Sequence, residues 1–129
     1  MKTPHEISEW VTFSKELEMS FRIPMSPPLI LERMNNVLIG FSRALNEEGC
    51  RLIGHVKVLI KSGAEEHLFI SVTSFDQLPS SKGRMEKEIS NMLLTVNAVV
   101  YGLSEDRLAF LFIQMLEEGF KCYINQLSC

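Results

Sequence analysis

Four basic or ionisable side chains recur at odd-numbered positions of a central segment that alternates between polar and apolar residues. They are His55, Lys57, Lys61 and His67. Histidine is a frequent metal ligand and acid–base catalyst. In the strand pairing predicted below, however, His55 and His67 lie about 20 Å apart, since each strand residue adds about 3.3 Å. One metal ion cannot bridge that distance, and we predict neither a metal site nor a cofactor.

The cysteines and serines lack the neighbours that would make them nucleophiles. Cys50 follows the predicted C-terminal end of a helix, where the negative end of the helix dipole raises the pKa of a thiol. The chain contains no G-x-S-x-G elbow, no G-x-G-x-x-G sequence and no P-loop. These observations favour a binding function over catalysis.

A predicted connection between Phe75 and Arg84 carries two hydroxyls and two cations. These candidate anion-binding residues are Ser80, Ser81, Lys82 and Arg84. Because the segment leads towards a predicted helical turn, its cations and free N–H groups could hold a phosphate or a carboxylate. The same residue types are common in mobile surface loops, so a plain flexible connection is the alternative.

The N-terminal part of the chain has helical periodicity. Apolar residues spaced three or four apart predict a first helix over 6–21, which Pro24 brings to an end. Ser26 is suited to cap a second helix, predicted over 27–48. Gly49 follows at the position where a helix commonly ends in a left-handed residue.

The period changes to two after this helix. Strict alternation predicts two strands, over 52–61 and 67–73, joined by a turn at Gly63. For the apolar faces of the two strands to coincide, paired residue numbers must sum to an even value. A sum of 128 places Leu59 beside Phe69 and so fixes the register of a hairpin.

The segment over 85–103 fits both a helix and a strand. Its β-branched composition favours a third strand over 92–101 after a short helix, because a lone hairpin is only marginally stable. A continuous helix through the segment is the alternative. Ser104, followed by two acids, predicts the start of a C-terminal helix that runs to about Tyr123.

Together these elements predict a single α+β domain over 1–129. Residues 1–49 form its helical part with two N-terminal helices, 50–103 form a small antiparallel sheet, and 104–129 form a C-terminal helix and tail. The helices are expected to cover one face of the sheet, because both element types must bury an apolar side.

The other face of this sheet is the candidate binding surface, because it mixes large apolar residues with polar ones. Exposed apolar patches rimmed by polar groups commonly mark interfaces. The residues predicted for it are His55, Lys57, Leu59, Lys61, His67, Phe69, Asn97, Val99 and Tyr101. We therefore predict a non-catalytic binding or assembly module that forms a homodimer through this face. An enzyme or accessory protein with a composite site at the subunit interface is one alternative, and binding of single-stranded nucleic acid or a small ligand on the same face is another.

Charge and composition narrow the partners and the compartment. The chain has 13 basic and 16 acidic residues, a net charge of −3, which has the wrong sign for a general nucleic-acid binder. No apolar run reaches the roughly 18 residues of a membrane span, and the N-terminal sequence has no signal-peptide core. Three widely spaced cysteines do not form a disulfide framework. The sequence therefore predicts a cytoplasmic protein without a membrane partner.

Overall fold

The computed structural model describes residues 9–63 and 66–128, which form a six-stranded antiparallel sheet and two helices. In chain order the elements are β1 (Trp10–Met25), α1 (Pro27–Glu47), β2 (Leu52–Ser62), β3 (Glu66–Val72), β4 (Ser80–Arg84), β5 (Ile89–Tyr101), α2 (Glu105–Phe120) and β6 (Ile124–Ser128). Their order across the sheet is β4-β3-β2-β5-β1-β6.

The connectivity is that of two interleaved βαβ units. Since β5 is antiparallel to both β1 and β2, those two strands run parallel with β5 between them. By the same reasoning, β5 and β6 run parallel with β1 between them. This is the split βαβ arrangement of ferredoxin-like folds. Strands β3 and β4 are inserted after β2 and extend the sheet beyond it.

Both helices pack on one face of the sheet and bury a continuous apolar core. Aromatic contacts join the layers, because Phe13 and Phe41 both lie against Phe112, and Phe21 stacks on Phe120. On the central strands every second residue points into this core, as the pleat of a strand requires. The alternate residues of the sheet therefore form a face that neither helix covers.

The predictions of two N-terminal helices and of a small sheet made of a hairpin and a third strand are both wrong, because the sheet has six strands. Residues 10–25 form β1, the longest strand of the sheet, while residues 6–8 lie outside the described residues. Phe13, Leu17, Met19 and Phe21 of β1 are buried in the core, whereas the even-numbered positions from Trp10 to Glu18 are exposed. Pro24 lies where the pairing of β1 with β5 shifts, which is where strands tolerate proline.

In the rest of the chain, the structure differs from the prediction in three further places. No helix precedes the third strand, because β5 begins at Ile89. The predicted connection over 75–84 ends in strand β4. The C-terminal helix stops at Phe120, and the chain returns to the sheet as β6.

Other predicted elements are confirmed. Helix α1 follows Ser26, the hairpin pairs Leu59 with Phe69, and a strand covers 92–101. The Ser104 hydroxyl accepts a hydrogen bond from the Arg107 backbone N–H and so caps α2.

Candidate functional site

We call the side of the sheet that neither helix covers the open face. Directly paired residues of antiparallel strands point to the same side, so the strand register determines its members. All nine predicted residues lie on it: His55, Lys57, Leu59 and Lys61 on β2, His67 and Phe69 on β3, and Asn97, Val99 and Tyr101 on β5. Strand β1 adds a further column, which the sequence reasoning missed because it assigned these residues to a helix. Its members include Trp10, Ser14, Glu16 and Glu18.

A chain of hydrogen bonds crosses the middle of the open face. The Asn97 amide donates to Ser14 Oγ at 2.5 Å, and its oxygen lies 2.7 Å from His55 Nε2. Because an amide oxygen can only accept, Nε2 of His55 carries the hydrogen and donates it. The histidine does not contact the serine, so this arrangement fixes three side chains without forming a nucleophile–base pair.

An aromatic corner lies at one end of the open face. The rings of Trp10 and Tyr101 meet edge to face with centroids 5.5 Å apart. Gly54 makes room for the indole, since a Cβ there would lie 3.2 Å from Trp10 Cζ3. Trp10 and the neighbouring Leu52 are each more than half exposed, at 53% and 54%. Large apolar side chains therefore remain open to a partner at this end.

A second apolar group lies on the β2–β3 side. Phe69 is 42% exposed and pairs with the half-buried Leu59. A shallow cleft of about 380 Å³ beside it is lined by Lys57, His67 and Lys82 among others. Phe69 is thus an exposed ring with basic groups on several sides.

Charge on the open face is separated into two halves. At the paired positions of β2, β3 and β4 the charged side chains are Lys57, Lys61, Lys82 and Arg84, together with the two histidines. At those of β1, β5 and β6 they are Glu16 and Glu18. We call these the basic half and the acidic half. The chain's small net charge conceals this separation.

The predicted anion-binding loop is reorganised by the fold. Ser80, Lys82 and Arg84 pair with β3 on the open face, whereas Ser81 opposes the buried Ile70 on the helix side. The helical turn expected after Arg84 is not formed, so no helix N-terminus supports an anion there. Lys82 and Arg84 instead belong to the basic half.

The candidate nucleophile Cys50 lies in the core. Burial raises the pKa of the Cys50 thiol, which faces the carbonyl oxygens of Leu52 and Tyr101. Among the described residues, no three His, Cys, Asp or Glu side chains converge as a metal site would require.

One carboxylate outside the open face, that of Glu66, is held by backbone hydrogen bonds. Glu66 at the start of β3 accepts hydrogen bonds from the backbone N–H groups of Glu86 and Lys87, at 2.8 to 3.0 Å. These bonds lower the pKa of Glu66, because they stabilise the charged form. Glu66 thereby ties the β4–β5 connection to the β2–β3 hairpin.

No helix in the described part of the chain is long and apolar enough to cross a membrane.

No protein-family model and no curated protein matches the chain. Among solved structures, the chain is similar to Zn(II)-bound YjiA GTPase from E. coli, with 13% identity and a TM-score of 0.42. It is also similar to a Zn(II)-bound triple mutant of YjiA GTPase, with 13% identity and a TM-score of 0.43. Each comparison covers 82% of this chain and 29% of the other. The chain thus spans less than a third of the length of these proteins, and at this level the similarity carries no argument about function.

Proposed function

We propose that the protein is a non-catalytic binding module that forms a homodimer through its open face. The observation that carries the proposal is the separation of a basic half from an acidic half on a surface that also exposes Phe69. A surface of this kind is complementary to itself. Most soluble homodimers use one patch on both subunits, related by a two-fold axis.

The symmetry of such a dimer can be specified from the strand order. A two-fold axis parallel to the strands, lying between two stacked sheets, exchanges the β4–β3–β2 side of one copy with the β5–β1–β6 side of the other. Each basic half then faces an acidic half. Two sheets packed face to face keep their strands within about 30° of each other, so an axis of this orientation is compatible with ordinary sheet packing.

The edges of the sheet are less suited to pairing with a second copy. Strand β6 pairs with β1 only from Glu18 to Phe21, so the described residues provide no outer partner for Trp10–Leu17. Lys15 on this stretch points to the helix side, and an inward-pointing charge hinders edge pairing. At the opposite edge β4 carries Lys82 and Arg84. Charged edges disfavour continuous sheets between copies, which leaves the face as the better surface.

The first test replaces the exposed ring at the centre of the basic half. Phe69→Glu removes apolar contact area and places an acid where the acidic half of a second copy would lie. We expect at least a tenfold rise in the dimer dissociation constant, measured by light scattering over a concentration series. Leu78→Glu is the matched control, because Leu78 is 78% exposed in the β3–β4 connection, outside the strands of the open face.

Either of two results would reject the proposal. The wild-type protein would be monomeric at every concentration tested, or Phe69→Glu and Leu78→Glu would have the same effect on the measured mass.

The cleft beside Phe69 favours one second candidate, the binding of single-stranded nucleic acid on the basic half. An exposed ring can stack on a base while Lys57 and Lys82 contact phosphates. In that case a labelled oligonucleotide should bind the wild-type protein, and added salt should weaken binding steeply. Absence of binding at low salt would exclude this candidate.

A further inference from the structure

A second cleft, of about 600 Å³, opens at the end of the open face where β1, β2, β5 and β6 meet. Its walls include Lys61 from β2, Leu93 from β5 and Glu18 from β1. Asn91, Ser20 and Gln126 lie beside one another across three strands and close one side. The cleft therefore combines a cation, an anion, an apolar surface and neutral hydrogen-bonding groups.

The strand register places Lys61, Leu93 and Glu18 in one row across the sheet. Lys61 pairs with Leu93, and Leu93 pairs with Glu18, so the row reads cation, apolar group, anion. Among the residues that the structure describes, neither Lys61 nor Glu18 has an oppositely charged side chain within 4 Å. Both are exposed to solvent. A ligand can therefore reach both charges from solvent without first breaking an ion pair between described residues.

The spacing of the row limits the size of that ligand. Lys61 and Glu18 stand two strand spacings apart, about 10 Å, and strand side chains extend roughly perpendicular to the sheet. A charge-assisted hydrogen bond of about 2.8 Å at each end leaves about 4 Å between the ligand's own charges. That separation suits an amine and a carboxylate joined by two or three methylene groups, which would lie over Leu93.

We infer that this cleft binds a small amino-carboxylate zwitterion of that length. Lys61 receives the carboxylate, Glu18 receives the ammonium group, and the amides of Asn91 and Gln126 provide additional hydrogen-bonding groups. One chain contributes every residue named, but the cleft lies on the open face, so ligand binding competes with the proposed dimer for Lys61 and Glu18.

The experiment titrates the Phe69→Glu variant, in which the proposed dimer does not cover the cleft, with 4-aminobutanoate and follows backbone amide shifts by NMR. Lys61→Gln and Glu18→Gln should each weaken binding at least tenfold, because each removes one of the two charges the ligand contacts. The matched controls are Lys57→Gln on β2 and Glu16→Gln on β1. These residues lie on the same strands and the same face, four positions from Lys61 and two positions from Glu18 respectively. In the Phe69→Glu background, where the proposed dimer does not form, their replacement should leave ligand affinity unchanged.

Two comparison ligands test whether both charges are recognised. Butanoate lacks the amine and butylamine lacks the carboxylate, so each should bind at least tenfold more weakly than 4-aminobutanoate. The same titration on the wild-type protein separates binding from dimerisation, because a dimer through the open face covers the cleft and should weaken ligand binding. The inference fails if 4-aminobutanoate shifts no cleft amide at millimolar concentration, if butanoate binds equally well, or if the control variants lose affinity as much as the cleft variants.

Discussion

Hydrogen bonds to Asn97 hold the polar side chains at the centre of the open face in place. Asn97 bonds both Ser14 and His55, so one amide fixes side chains from the strands on either side of it. A general base must contact the proton it removes, and His55 contacts the amide, not the serine. Fixed polar groups beside exposed apolar ones suit recognition of a partner surface, because little side-chain freedom is lost on binding.

Glu66 makes the β4–β5 connection sensitive to acid. Its pKa is lowered by the backbone N–H bonds from Glu86 and Lys87, so the stability it contributes is fully present above the ordinary glutamate pKa. It is lost as the pH falls through the lowered pKa in the folded protein. Between pH 6 and 3, hydrogen exchange at the Glu86 and Lys87 amides, corrected for its intrinsic pH dependence, should therefore lose protection.

Replacement of the carboxylate separates this effect from general acid unfolding. Glu66→Gln should reduce protection of the two amides at neutral pH and remove most of its pH dependence. Glu88→Gln, in the same connection, should keep the wild-type profile. An unchanged profile in Glu66→Gln would show that the carboxylate does not order the connection.

The contact between the two helices depends on a glycine. A Cβ on Gly119 in α2 would lie 2.4 Å from Val37 Cγ2 in α1, and a β-branched valine has little freedom to move away. Overpacking of this kind costs about 1–3 kcal/mol. Alanine recovers about 1 kcal/mol of helix propensity. We expect Gly119→Ala to lower the free energy of unfolding by about 1 kcal/mol in urea denaturation.

Gly40 provides the matched control on α1. A Cβ there would lie 3.1 Å from Met115 Sδ, on a flexible side chain that can shift. Gly40→Ala should therefore stabilise the protein by about 0.5–1 kcal/mol, which is the propensity gain. Adding Val37→Ala should relieve the cost of Gly119→Ala. Equal effects of the two glycine substitutions would contradict this account of the helix contact.

Elements with a strong, unbroken pattern were predictable from the sequence. The 3.6-residue stripe of α1 and the period-two alternation of the β2–β3 hairpin each need no partner to be recognised. In β1 the alternation is interrupted by Lys15, and the neighbouring apolar spacings resemble a helix. Strand β4 consists of serine, lysine, glycine and arginine, and β6 is five residues long. These two strands owe their conformation to the strands they pair with, which local sequence does not reveal.

The assignment of β1 to a helix also limited the prediction of the site. The residues of β2, β3 and β5 were placed on the correct face because their alternation is clear. The acidic half was missed because Glu16 and Glu18 were assigned to a helix surface, where charge is unremarkable. Consequently neither the separation of charge nor the row that links Lys61 to Glu18 could be seen from the sequence.

The strand order brings about this separation of charge across the molecule. Because β3 and β4 extend the sheet beyond β2, basic side chains lie towards one edge of the sheet. Because β1 pairs with the other side of β5, acidic side chains lie towards the opposite edge. Opposite charges on facing patches guide association and disfavour wrong orientations. The proposed dimer therefore predicts a specific response to charge reversal.

Reversal of charge in one half should abolish dimerisation, and mixing the two reversed proteins should restore it. The double variant Lys57→Glu/Lys61→Glu carries acidic side chains in both halves. The double variant Glu16→Lys/Glu18→Lys carries basic side chains in both halves. Like charges then oppose one another in each homodimer, but the two variants are complementary to each other. The free energy of unfolding should change little, because all four side chains are exposed.

Native mass spectrometry of the two variants, separately and in equimolar mixture at low ionic strength, is the most direct test. The account predicts a dimeric wild-type protein, two monomeric variants and a one-to-one heterodimer in the mixture. Variants that remain homodimers, or a mixture that stays monomeric beside a dimeric wild type, would contradict association through the open face.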